Sequence, residues 1–459
     1  MHTMTRTLRG ALVLSGLLAS APALATNGYV PHGVGTANKA MAGAGMALPE
    51  DTIAIVLNPA SAALLDEQMG VGVSAFMPRR NYTTLFGGLN GRNQAFSFDN
   101  VNIDSGEELF LSPEIAGIHR LQDGYSLAWA LYMRNGLATS YKGGGATFDP
   151  DGEGPLGIAS LPGTFGDGNA EFELSQILID VGLASTLGDR TAFGVSAVLA
   201  AQSLEAKGFG GLAKYTESFA ASSGAVQPEH LSGNGKDTRY GFGLKAGLHR
   251  QIGAQFSLAA SYQSRVFMGE HSDYADLLAG NGDLDIPARA QLGVTWQPNE
   301  RFSFSIDAQY IWYSDVEALG NSFNNIYDCP GAGLGGANVK RCLGGADGAG
   351  FGWDDMPVMS LGGHWDLNDD WRLRAGFSFG DQPTAYYENT FNIPLISLAE
   401  AHYTFGFSHR LGNGDELGFS FMYTEEESLE ELNQLDPSQV VRITTDQFDF
   451  QVSYRWGLN

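Results

Sequence analysis

The sequence predicts an all-β protein, a fourteen-stranded antiparallel transmembrane β-barrel with an N-terminal hatch plugging its lumen. Three observations predict it. Strand-length segments alternate apolar and polar residues, with aromatic side chains gathered on the apolar side. Tight turns alternate with long polar and Gly-rich connections. A non-alternating stretch of small apolar residues precedes the first strand.

Composition frames the reading. The 459 residues include 61 Gly, are 11% aromatic and only 17% charged, which excludes a disordered chain. Lys+Arg total 26 against Asp+Glu 51, a net charge of −25. That balance excludes a nucleic-acid partner, which needs a basic face. Two Cys do not make a disulfide scaffold.

Residues 1–25 read as a secretory signal peptide. Arg6 and Arg9 form a positive start, an apolar run spans Ala11 to Leu18, and Ala23-Leu24-Ala25 supplies a cleavage site. The run is too short to cross a bilayer. No later apolar stretch is long enough for a membrane helix.

The segment 26–66 is small and apolar without a period of two. It contains Gly33-Val34-Gly35, Met41-Ala42-Gly43-Ala44-Gly45 and Thr52-Ile53-Ala54-Ile55-Val56-Leu57-Asn58-Pro59-Ala60. Such a surface would not be left in water, and a fourteen-stranded barrel has a lumen to hold it. The segment is therefore expected as the hatch, with a periplasmic extension as the alternative.

Strands fill 67–459. Phe302, Phe304, Ile306, Ala308, Tyr310 and Trp312 share one face, opposite Ser303, Ser305, Asp307 and Gln309. Trp371 to Phe379 repeats this, as do Phe448, Phe450, Val452, Tyr454 and Trp456. A crossing needs roughly 9–11 tilted residues, and lipid forbids open edges, so such strands must close. Short turns fall at 121–124, 187–190, 251–254, 297–300, 367–370 and 411–414, and long connections at 142–170, 207–236, 317–354 and 425–445. Six turns join twelve strands. One more precedes them near 68–82 and one follows near 446–457, which places both termini in the periplasm.

Several motifs in order resemble the FadL-type outer-membrane transporters of long-chain fatty acids, a family that includes the TodX-like aromatic hydrocarbon channels. They are Asn58-Pro59-Ala60, Asn135-Gly136-Leu137-Ala138-Thr139, Ser261-Tyr262-Gln263-Ser264, Ile286-Pro287, Trp371-Arg372-Leu373-Arg374-Ala375-Gly376 and Ile393-Pro394. Gln263 departs from the family's Arg. The resemblance implies passive uptake of hydrophobic molecules, fatty acids first and aromatic hydrocarbons second. It also implies loop capture, hatch rearrangement and sideways exit at a kink in the third strand. Asn135-Gly136 supports such a break, since Gly inside a strand marks a bulge; an early strand end is the alternative.

Candidate capture residues are Leu212, Tyr215 and Phe219 on one helical face, with Phe148, Leu156, Ile158, Leu161 and Phe165 in the preceding long loop. The alternative is that these loops pack on each other. By strand parity Arg372, Arg374, Arg410 and Arg455 point inward near the short-turn end. There they are expected to meet hatch carboxylates from Glu50, Asp51, Asp66 or Glu67; a wall pair such as Arg455 with Asp449 is the alternative. Cys329 and Cys342 are expected to pair. Lys207, Lys214, Lys340 and Arg341 are loop cations available to a carboxylate ligand. No catalytic signature, metal motif or cofactor site is read. An outer-membrane hydrolase using His402 and Ser420, and a general porin, remain rivals. The partners expected are hydrophobic small molecules and outer-membrane lipid, for a monomer.

Overall fold

The computed structural model describes residues 27–86, 95–121, 124–149 and 158–458, with backbone alone at 135 and 136. The signal peptide reading and Leu156 lie outside these residues. Fourteen strands form the wall: β1 Gln68–Phe86, β2 Phe110–Arg120, β3 Tyr125–Tyr141, β4 Ala170–Leu187, β5 Thr191–Lys207, β6 Asp237–Ile252, β7 Phe256–Gln263, β8 Arg289–Asn299, β9 Phe302–Ile311, β10 Met356–Asp366, β11 Trp371–Gly380, β12 Ala401–Arg410, β13 Glu416–Asn433 and β14 Asp436–Gly457. Each pairs antiparallel with its neighbours, and β14 returns to β1, from Gln68↔Gly457 to Phe86↔Gln439. The sheet has no first or last strand, as lipid requires.

Alternation does what the sequence pattern implies. Phe304, Ile306, Phe405 and Val452 are exposed outward, while Ser303, Ser305 and Asp307 are buried inward. Aromatic side chains collect near the short-turn end, where Phe256 stacks on Trp296 and Phe302 on Trp365. Such a girdle marks a membrane interface.

One expected loop is strand. Residues 425–445 extend β13 and β14 into a long hairpin closed at Gln434-Leu435. The acidic run Glu425-Glu426-Glu427 reads as loop in a strand search tuned to one greasy side. The outer face of this ribbon, with Glu426 and Glu430, meets water, while Leu429, Val441 and Ile443 on its inner face are buried in the loop core, so charge on the outer face does not oppose pairing. The wall also has an irregularity at the Ser261–Ser264 motif. After Gln263, β7 breaks at Ser264-Arg265-Val266 and resumes as Phe267–Met268 against β6.

The chain from Asn27 to Ala63 runs inside the barrel. Asn27 accepts a hydrogen bond from Tyr313 Oη, and Gly28 accepts one from Ser397 Oγ at 2.9 Å. Both partners follow the long-loop ends of wall strands. The first described residues therefore lie in the lumen toward that end. Gly457 at the C-terminal end pairs with Gln68 at the short-turn end.

Candidate functional site

The lumenal segment is seated by complementary backbone and glycine surfaces. Asn58 caps the turn Pro59–Ala63: its Oδ1 accepts from Ala60 N at 2.9 Å, and its Nδ2 donates to Leu248 O on β6 at 3.0 Å. Pro59 supplies the fixed φ that starts such a turn. The turn lies against glycines of the wall; a Cβ at Gly194 would stand 2.5 Å from the Pro59 carbonyl carbon. Earlier in the sequence, Ala40 and Met41 rest on Gly362, Gly376 and Gly406 in the same way, with 2.5 Å between Ala40 Cβ and a Cβ built on Gly406. Gly inside a strand is normally unfavourable, and here it marks where another backbone approaches.

Wall side chains satisfy the segment's polar backbone. Asp307 accepts from Gly45 N and Met46 N, both at 3.0 Å. Thr404 Oγ1 donates to Ala40 O at 2.9 Å. Lys245 Nζ donates to Val56 O at 2.8 Å while pairing with Asp180 at 2.5 Å. Asp51 Oδ2 accepts from Ala37 N at 2.7 Å within the segment itself.

Charged clasps join the segment to the wall at two levels. Near the short-turn end, Glu50 pairs with Arg372 and, at 2.9 Å, with Arg374, and His364 Nδ1 lies 3.1 Å from it. Arg455 Nη1 donates to the Glu50 carbonyl at 2.7 Å and its Nη2 pairs with Glu416. Burial alone would raise the Glu50 carboxyl, but Arg374, Arg372 and His364 hold it well below the usual carboxylate range. Arg410 does not join this cluster. It is the last residue of β12 and stands exposed at the rim, where strand parity no longer buries it. Asp66 is also exposed, and Glu67 pairs with His119 on the wall.

The second clasp was not foreseen. Lys39, 8% exposed, donates to Asp449 and Ser74, each at 2.9 Å. Asp449 thus serves a lumenal lysine, not Arg455. The signal was present: Lys39 is a lone cation in an apolar stretch destined for an enclosed space, and such a charge needs a partner.

The wall itself is interrupted beside this clasp. On β3, Arg134 opposes Gln176 and Leu137 opposes Leu174, so Asn135 and Gly136 face the single residue Ser175 of β4. This is a β-bulge. The strand does not end there; it continues to Tyr141. On its other side β3 pairs with β2 only from Arg120↔Ser126 to Glu114↔Tyr132. Residues 110–113 of β2 pair with β1 but have no β3 partner among the described residues. Inside this unpaired stretch lies a cavity of about 80 Å³, lined by Phe76, Ser112, Met133, Arg134, Leu137 and the segment 28–34, with Lys39, Arg80, Glu114 and Asp449 also at its edge. Outside lies an open, mostly polar groove bordered by Leu109, Phe110 and Leu111 and by Glu171, Glu173, Glu205 and Lys207.

The capture candidates lie elsewhere. Phe148, Phe165, Leu212 and Tyr215 are buried in one cluster with Phe96, Phe98 and Phe209. Phe165 stacks on Phe209 at 4.8 Å, and Tyr215 meets Phe148 edge-on. Ile158, Leu161 and Phe219 are half-buried, and Leu161 packs against this cluster. These residues pack the long loops together and do not line the cavity. Cys329 and Cys342 are disulfide-bonded within the same loop assembly. His402 is hydrogen-bonded to Ser378 at 2.9 Å, not to Ser420. Its Nε2 has no hydrogen-bond partner among the described residues, and its ring stacks on His32 at 5.0 Å.

A family model described as outer membrane protein transport protein (OMPP1/FadL/TodX) matches residues 173–455. The chain belongs to this family. As an OMPP1/FadL/TodX protein it is a channel for hydrophobic compounds in the bacterial outer membrane. Solved structures share its fold. The Pseudomonas putida toluene transporter TodX superposes with TM-score 0.64 at 16% identity, covering 93% of this chain and 99% of that one. A Pseudomonas aeruginosa FadL homologue gives 0.61 at 15%, covering 96% and 100%. The Ralstonia pickettii toluene transporter TbuX gives 0.58 at 17%, covering 93% and 99%. No curated protein matches the chain.

Proposed function

We propose that the protein takes up hydrophobic molecules by passive diffusion and releases them sideways through the wall at the bulge of β3. Residues 27–65 act as the hatch and β1–β14 as the conduit, with the C-terminus in the periplasm. The observation that carries this reading is the unpaired stretch between β2 and β3, with an apolar cavity on its inner side and a groove on its outer side. A ligand in the cavity is held from below by the segment 28–34 and Lys39, and sideways exit crosses no intact hydrogen-bonded ladder. The Glu50 and Lys39 clasps fix the hatch in its resting orientation. Long-chain fatty acids are the first candidates. Monoaromatic hydrocarbons are the second, favoured by the toluene transporters among the structures of similar fold. Uptake of radiolabelled hexadecanoate and toluene by a deletion strain, with and without the restored gene, tests the reading. Unchanged uptake of both classes on deletion refutes it.

A further inference from the structure

The inward face of β1 runs Ser74, Gly72, Gly70, Gln68 toward the short-turn end, a column of small or polar residues. Beside it in register stand Ser112, Glu114 and Ala116 on β2, and Gln451, Ser453 and Arg455 on β14. Elsewhere hatch backbone rests on wall glycines, but here side chains take that space. A Cβ on Gly72 would meet Glu114 Oε1 at 2.8 Å and Gln451 Nε2 at 3.2 Å, and one on Gly70 would meet Thr52 Oγ1 at 2.9 Å.

The side chains fill this face incompletely. Glu114 borders two cavities: the one of about 80 Å³ beside β3, and one of about 20 Å³ nearer the short-turn end, lined by Asp51, Thr52, Gly70, Ser453 and Arg455. A water needs roughly 10–15 Å³, so the lower space holds one and the upper several. Three buried polar atoms along the column have no hydrogen-bond partner among the described residues: Gln451 Oε1, Thr52 Oγ1 and Gln68 Nε2. Buried polar groups that side chains leave unmet are completed by water. At the lower end Arg455, its side chain 28% exposed, pairs with Glu416. The column thus runs from the cavity to the short-turn rim past a seated hatch.

Most charges bordering the two cavities are committed. Lys39 is held by Asp449 and Ser74, Arg80 donates to the carbonyls of Ile396 and Ala138, Arg134 lies over Tyr132, and Asp51 accepts from Ala37 N. Glu114 accepts from Gln451 Nε2 at 2.6 Å and has no ion-pair partner among the described residues. A carboxyl group between two waters is a proton relay. A one-water space is too small for a hydrated metal ion.

We propose that this face is a water-filled path that conducts protons past the seated hatch, with Glu114 carrying them across its narrowest point. A proton taken from water on one side is matched by one released to water on the other, so Glu114 ends as it began. The path also lets the cavity exchange water with the periplasm as a ligand enters or leaves. It is separate from the sideways route, and neither depends on the other.

The test is proton flux into liposomes holding pyranine and the purified full-length barrel, with equal potassium on both sides and valinomycin to clamp the voltage. After a step in external pH the parent should equilibrate faster than protein-free liposomes, while trapped radiolabelled sodium stays inside. Glu114→Gln keeps the shape without a titratable group and should return the flux to the protein-free rate, and Glu114→Asp should retain part of it. Thr52→Val, which leaves Glu114 in place and removes a water partner, should slow it. Heat-modifiable gel mobility certifies each folded barrel. A parent no faster than protein-free liposomes overturns the proposal. So does the parent's rate in folded Glu114→Gln or Thr52→Val, or sodium escaping with the protons, which marks a displaced hatch.

Discussion

Glu50→Ala would strip the carboxylate from between Arg374 and Arg372. The Glu50 side chain is 9% exposed and that of Arg374 3%, so this is a buried pair. Removing one partner of a buried pair costs about 3–5 kcal/mol, because the other charge is left uncompensated. The lower end applies here. Arg374 keeps a hydrogen bond to Ser408 at 3.1 Å, and Arg372, 31% exposed, keeps Asp366. A loss of about 3 kcal/mol raises the unseated population of the hatch roughly a hundredfold. Trypsin reads this directly, since Lys39 is the one Lys or Arg between 27 and 66. When opening is fast relative to cleavage, the cut rate follows the open population. Cleavage after Lys39 should therefore rise by about two orders of magnitude, with the barrel band intact. A rate within about twofold of the parent would refute the clasp as a determinant of hatch seating.

The remaining predictions concern pH, the second clasp, the glycine seats and the loops. The depressed Glu50 carboxyl contributes stability that is complete above its unfolded value of 4.5 and is lost only as pH falls toward its lower folded value; trypsin resistance should survive at pH 5, as acid-stable protease scans would check. Asp51 has the opposite sign, burial pushing it up to about 6, so its contribution is present below 3.8 and lost as pH rises through 6; Asp51→Asn should flatten the hatch's exchange rates between those limits. Lys39→Met should cost about 3–5 kcal/mol of hatch seating by hydrogen exchange, and adding Asp449→Leu should recover a large part of it, since the stranded carboxylate is then gone. Gly376→Val puts a branched side chain where the Met41 backbone packs and should expose residues 36–46 to exchange without unfolding the wall. Removing the disulfide with Cys329→Ser and Cys342→Ser, a separation of 13 residues, should free about 3 kcal/mol of loop constraint, measured as faster proteolysis confined to 317–354.

The wall was legible in the sequence because period-two alternation and tight turns are local signals that a bilayer enforces. Phe302 to Trp312 could be read from its own residues. The hairpin around Gln434 could not, because outside the bilayer the apolar constraint lapses and Glu425 to Glu431 look like loop. Inward parity located Arg372 and Arg374 but misjudged Arg410, since a strand's final residue reaches the rim. The capture residues were recognisable as apolar and clustered. Whether Phe148 and Tyr215 cover each other or line a void depends on loop packing, which no periodicity encodes. The cavity beside β3 arises from a pairing that stops at Glu114↔Tyr132. Only the neighbouring strand's register reveals that stop, although Asn135-Gly136 marks its place.

The central claim is that the bulge opens the wall for sideways release, and deleting Asn135 tests it most directly. The deletion restores one residue opposite Ser175 and lets β3 run in regular register above Arg134. Uptake of radiolabelled hexadecanoate is then measured in a deletion strain carrying the parent gene or the shortened one, with heat-modifiable gel mobility showing equal amounts of folded barrel. The account predicts that the shortened protein folds and that uptake falls to the level of the strain without the gene. Uptake equal to the parent's, in a folded barrel lacking the bulge, would contradict it.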